Sequence, residues 1–116
     1  KMLNVKKLAL IIATVAVTAC TGSSGDKFVG KWINRGDQDI TLEIEKDSSG
    51  NTFTIVDRMT WMGKPKASNY TATVEDNSLM IKTPIGKRPI FIDKNGVLQA
   101  SMGRSCPNCD QWDRAK

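Results

Sequence analysis

Three cysteines and a complete absence of histidine bound the chemistry open to this chain. Without imidazole there is no Ser-His or Cys-His nucleophile pair, and the usual zinc, copper and non-haem iron ligand sets are missing. Carboxylates at i,i+2, Asp37/Asp39 and Glu43/Glu45, share one face of an extended strand. On such a polar face they read as solvated surface rather than as an acid/base pair. The spacing Cys106-Pro107-Asn108-Cys109 leaves three readings open. It is a structural disulfide with Pro-Asn supplying the turn. As a redox pair it needs its first cysteine at a helix N-terminus, yet Asp110-Gln111-Trp112 after it reads as strand. As half of a zinc site it lacks a second ligand pair, short of one from another molecule. No Gly-rich phosphate loop opens a helix and no nucleotide motif occurs. The residues predict a non-catalytic protein with no cofactor and no metal.

The N-terminal segment carries an address. Lys6 and Lys7 precede an apolar run, Leu8 to Ala19, interrupted only by Thr14 and Thr18. Twelve residues span ~18 Å as a helix against the ~30 Å of a bilayer core, so the run matches a signal-peptide h-region and not a membrane span. It ends in Val17-Thr18-Ala19-Cys20, which resembles the lipobox of bacterial lipoproteins. The resemblance implies cleavage before Cys20 (a signal peptide over residues 1–19), diacylglycerol on the Cys20 thiol and a further acyl chain, such as palmitate, on its amino group. Two or three chains anchor stably where one is marginal. Thr21, standing where an aspartate favours inner-membrane retention, implies the outer membrane, with the domain on its periplasmic face or at the cell surface. If Cys20 carries lipid, Cys106 and Cys109 remain as an even pair.

Residues 20–26 form a lipidated cysteine and Gly/Ser tether, Thr21 to Asp26, that reaches at most ~20 Å. One small domain, residues 27–116, follows. Its period is two: Ile40, Leu42 and Ile44 alternate with Thr41, Glu43 and Glu45, and Tyr70, Ala72 and Val74 with Thr71, Thr73 and Glu75. Shorter strands are predicted at 52–56, 79–82, 90–92, 97–101 and around Trp112. Turn signals separate them: 47–51, 63–65, 75–78, Pro84 to Pro89, and Lys94-Asn95-Gly96, where Asn-Gly suits a type I′ hairpin. The expected fold is all-β, an antiparallel meander of seven to eight strands in a closed or partly open barrel, or folded as a sandwich.

The start of this domain, Phe28-Val29-Gly30-Lys31-Trp32, resembles the G-x-W of lipocalins and related calycin barrels. In that family the tryptophan closes one barrel end and an arginine of the last strand packs over it. The resemblance places Gly30 and Trp32 in that closure and gives Arg114, in Gln111-Trp112-Asp113-Arg114, the arginine's role. The chain is far shorter than a lipocalin. Strands of ~6 or 7 residues fill an eight-stranded interior with side chains and hardly hollow it.

Charge is unevenly spread. Three of the 17 basic residues and none of the 12 acids precede residue 20, leaving 14 against 12. A balance so near neutral gives no reason to expect a nucleic-acid partner. Within it, residues 21–57 hold four bases and seven acids, whereas residues 58–104 hold eight bases and three acids. Lys64, Lys66, Lys82, Lys87 and Arg88 lie in or beside turns. They read as solubilising edge charge, or as a basic rim for anionic lipid, lipopolysaccharide, peptidoglycan or an acidic protein. Trp61 and Met62 beside that rim are a contact patch or a barrel plug. The expectation is a membrane-tethered, non-catalytic interaction module with a protein or envelope-polymer partner. The alternatives are an inhibitor of a secreted or periplasmic hydrolase (lysozyme or protease), a thiol redox protein, or a carrier of a small apolar ligand.

Overall fold

The period-two segments pair with one another in chain order. The computed structural model describes residues 25–116. A single 3-10 turn, Asp26–Phe28, leads into eight strands. These are β1 (Gly30–Asn34), β2 (Thr41–Lys46), β3 (Thr52–Trp61), β4 (Lys64–Glu75), β5 (Ser78–Thr83), β6 (Gly86–Ile92), β7 (Leu98–Ala100) and β8 (Gln111–Arg114). Each pairs antiparallel with the next. β1 also pairs with β8, Trp32 lying opposite both Leu42 and Arg114, so the sheet closes into a small lipocalin-like barrel. Closure removes the open edges that a flat sheet would present.

Alternation decides which side chains fill the barrel. Leu42 and Ile44 of β2, Phe53 and Ile55 of β3, Leu79 and Ile81 of β5 and Ile90 of β6 point inward and are buried. Trp32, Trp112 and Phe28 complete the packing, and each such side chain contributes roughly 1.5–3 kcal/mol by burial. Among the described residues every strand and every member of this core cluster lies between Phe28 and Arg114.

Turn chemistry differs from the sequence reading in three places. Asn95-Gly96 does not make a two-residue I′ turn, since only Gly96 has positive φ. Instead the Asp93 carboxylate accepts from the Asn95 and Val97 amides at 2.9 and 3.0 Å and organises the connection. Paired positive φ values, as a I′ turn requires, occur at Met62-Gly63 and Asp76-Asn77. The expected turn from Pro84 to Pro89 shrinks to Pro84-Ile85, because β6 already begins at Gly86 and pairs it with Thr83. β3 continues past Val56 to Trp61, so Met59 to Trp61 are strand, not loop.

Up-and-down connectivity sorts the connections to two ends. The chain enters at one end through the 3-10 turn, together with the β2–β3, β4–β5 and β6–β7 turns. The other end carries the β1–β2, β3–β4, β5–β6 and β7–β8 connections.

Candidate functional site

At the entry end the barrel is shut. The Trp32 indole donates from Nε1 to the Phe28 carbonyl at 2.9 Å, and the Arg114 guanidinium stacks on the Trp32 ring at 4.2 Å. Arg114 also donates to the carbonyls of Lys27 and Val29, at 2.6 and 2.8 Å, holding the incoming chain against the barrel. Gly30 makes room for this: its φ is +134°, and a Cβ there would lie 2.7 Å from the arginine Nη1. The two carboxyls held below the ordinary value also serve this end. The Thr52 and Thr54 hydroxyls lower Asp47, and the Val97 amide, ahead of Asn95, Gln99 and Arg35, lowers Asp93. Both brace turns.

The opposite mouth is sealed by a contact absent from the sequence reading. β3 carries Asp57 inward, 5% exposed, one step above Ile55. Arg104, on the long β7–β8 connection, reaches it with two parallel hydrogen bonds of 3.0 and 2.9 Å and lies 3.3 Å from the Met59 sulfur. That connection is itself pinned. The buried Asn34 donates to the Cys109 carbonyl at 2.9 Å, while its side-chain oxygen accepts from the Gly36 and Asp37 amides. Cys106 and Cys109 are disulfide-bonded across the turn, with a Cα–Cα distance of 5.4 Å, and Cys109 is buried. The next element after them is β8, a strand, so among the described residues no helix N-terminus faces either sulfur. Two surface depressions, of about 510 Å³ beside Ile33, Gln38 and Asp113 and about 370 Å³ beside Asn69, Thr71 and Met80, lie on the outer wall rather than along the axis.

Above the mouth two hairpins stand free. β2 stops pairing with β3 at Thr41 opposite Arg58, and β5 stops pairing with β4 at Ile81 opposite Ala72. Residues 59–66 therefore pair only with each other, Trp61 opposite Lys64 and Met59 opposite Lys66. Alternation puts these two pairs on the face that continues the barrel interior. On the neighbouring β5–β6 hairpin, Arg88 faces Ile81 on that same inner side and is half-buried. Apolar side chains crown both tips: Trp61 is 54% exposed, Met62 85% and Ile85 92%.

The electrostatics of these hairpins is one-signed. Residues 58–74 and 77–92 contain no acid and hold Arg58, Lys64, Lys66, Lys82, Lys87 and Arg88. Arg58 pairs with Glu43 and Lys87 with Glu75. The side chains of Lys64, Lys66, Lys82 and Arg88 have no ion-pair partner among the described residues.

The structure thus gathers Trp61, Met62, Lys64, Lys66, Lys87 and Arg88 at one end, on two hairpins, and keeps Gly30, Trp32 and Arg114 at the other. Cys20 lies outside the described residues. The sequence reading missed Ile85, although its position between Pro84 and Gly86 in a turn signalled exposure. It also missed the Asp57–Arg104 pair, 47 residues apart, for which no local signal exists. No protein-family model, no curated protein and no solved structure matches the chain.

Proposed function

We infer that this protein is a lipid-anchored, non-catalytic binding module of the bacterial outer membrane, which presents the hairpin end of its barrel to an envelope partner. One observation carries the reading. Acid-free hairpin segments bearing unpaired cations and exposed apolar tips crown the end opposite the chain's entry, over an interior packed with side chains, whereas Lys31 and Lys94, also without an ion pair among the described residues, stand beside Glu43 and Asp93. The lipobox at Val17 to Cys20 supports the anchor, and Thr21 supports the outer membrane as its address. A filled interior weighs against carriage of an apolar ligand, and the strand after Cys109 weighs against thiol redox chemistry.

The test is crosslinking from intact envelopes through a photoreactive residue at position 61, with an equivalent residue at the outward Thr54 as control. A partner captured at 61 and not at 54 supports the reading, and equal capture at both sites refutes it. Radiolabelled palmitate should reach the wild-type chain and not the Cys20→Ser variant. Labelling of neither chain removes the anchor.

A free-standing hairpin also favours a second reading, inhibition of a secreted lysozyme or protease by insertion into its cleft. Titrating the protein against such hydrolases tests it: stoichiometric loss of activity, abolished by Trp61→Ser and Met62→Ser together, is the expected result.

A further inference from the structure

Resting on the binding-module reading, we propose that the two hairpins dock on an anionic phospholipid surface, the apolar tips entering the bilayer interface while the cations meet lipid phosphates. Spacing selects lipid over a soluble polyanion. Met62 and Ile85 occupy the extreme turn positions, 85% and 92% exposed. Lys64 stands one ladder rung below the Met62 tip, Lys82 and Lys87 face each other two rungs below the Ile85 tip, and Lys66 and Arg88 stand three rungs below their tips. At ~3.3 Å per residue the last four cations lie roughly 7–10 Å below the tips. Interfacial apolar groups bury about 5–10 Å into the headgroup and acyl boundary, so tip insertion brings these amines and guanidinium to phosphate depth. Trp61, level with Lys64 and nearer the tip than Lys66, takes the level that amphipathic indoles favour at membrane interfaces. A polyphosphate chain or acidic protein would use the charges but leave Met62 and Ile85 in water.

The geometry also fixes direction. Gly25 lies at the closed end, its Cα so near Phe53 and Val74 that a Cβ there would strike both side chains. Gly25, where the upstream segment joins the barrel, and the hairpins therefore lie at opposite ends, and the hairpins point away from that junction.

The test object is the unlipidated chain from position 20 with Cys20→Ser, its folding confirmed by thermal melting. Trp32 and Trp112 are 1% and 0% exposed, so a change in indole emission on adding vesicles reports Trp61. Vesicles of phosphatidylcholine and phosphatidylglycerol in equal parts should shift the emission to the blue and sediment the protein. Phosphatidylcholine alone should do neither, and added salt should weaken the binding. Lys64→Gln with Lys66→Gln should lower affinity roughly 30-fold. Met62→Ser with Ile85→Ser should abolish sedimentation, and Trp61→Phe should retain it without the emission shift. Each variant is checked for unchanged thermal melting, since all these positions are exposed. Binding that ignores lipid charge, that survives both double substitutions, or that soluble polyphosphate matches at equal affinity overturns the proposal. If vesicles fail while crosslinking at position 61 still captures a partner, the binding-module reading stands without this one. If palmitate never reaches Cys20 while vesicles bind, the anchor falls and the docking surface remains.

Discussion

Replacing Arg104 by methionine tests whether the barrel mouth is sealed. The Asp57 carboxylate is 5% exposed, the Arg104 side chain 16%, and the two hydrogen bonds between them are the carboxylate's side-chain partners. Methionine preserves most of the packing volume but leaves the carboxylate alone in a site that water barely reaches. Breaking a buried pair in this way costs about 3–5 kcal/mol. The residual exposure of the arginine argues for the lower figure, about 3 kcal/mol. In a domain of this size that is a fall in Tm of roughly 12–24 °C. The double variant Asp57→Leu with Arg104→Met removes both charges and should return to within about 1 kcal/mol of wild type. Urea unfolding followed by circular dichroism on the wild type, both singles and the double closes the cycle. A loss below about 1 kcal/mol for Arg104→Met is what an exposed pair gives. That result would mean that water enters at Asp57, refuting the sealed mouth and reviving a ligand-accessible interior.

Arg114→Lys should cost about 1–2 kcal/mol in thermal melting, because an ammonium cannot at once cover the Trp32 ring and donate to both Lys27 and Val29. Reducing the Cys106–Cys109 disulfide releases only a four-residue ring and should remove about 2 kcal/mol, read as a drop in Tm with and without reductant. An unchanged Tm would show that the Asn34 to Cys109 bond suffices to hold the loop. Acid should destabilise the barrel through Asp47 and Asp93, whose carboxyls lie below the ordinary 3.8 when folded. The unfolded chain protonates first, so their contribution is complete above about pH 4 and fades as pH falls through the lower folded values. Asp93→Asn should flatten the acid limb of a Tm-against-pH curve, and an unchanged limb would remove Asp93 from the account.

Much of this architecture was legible in short windows. The alternations Ile40-Leu42-Ile44 and Tyr70-Ala72-Val74 identified strands and their inward faces, because the pleat of one strand is a local property. Gly30, Trp32 and Arg114 were readable through resemblance to a barrel closure. The Pro and Gly around residues 84–86 marked a turn but overestimated its length, since strand pairing tolerates a proline at Pro89 on the β5–β6 ladder. For Trp61 and Met62 a short window fits a barrel plug and a contact patch equally well. Their exposure depends on how far β3 and β4 outrun their neighbours, which is a matter of register around the whole barrel.

By itself, then, the amino-acid order determined an all-β domain of short paired strands, a cysteine pair close enough to bridge and a basic second half. Each depends on residues within one or two turns of chain, where sterics and periodicity act directly. The tertiary structure alone decided that β1 meets β8, that Asp57 turns inward to be met by Arg104, and that Lys64, Lys66, Lys82 and Arg88 share one end with Met62 and Ile85. Those juxtapositions arise from closing the sheet. Strand tilt and register carry distant residues to a common rim, where desolvation and charge act between groups that no local pattern connects.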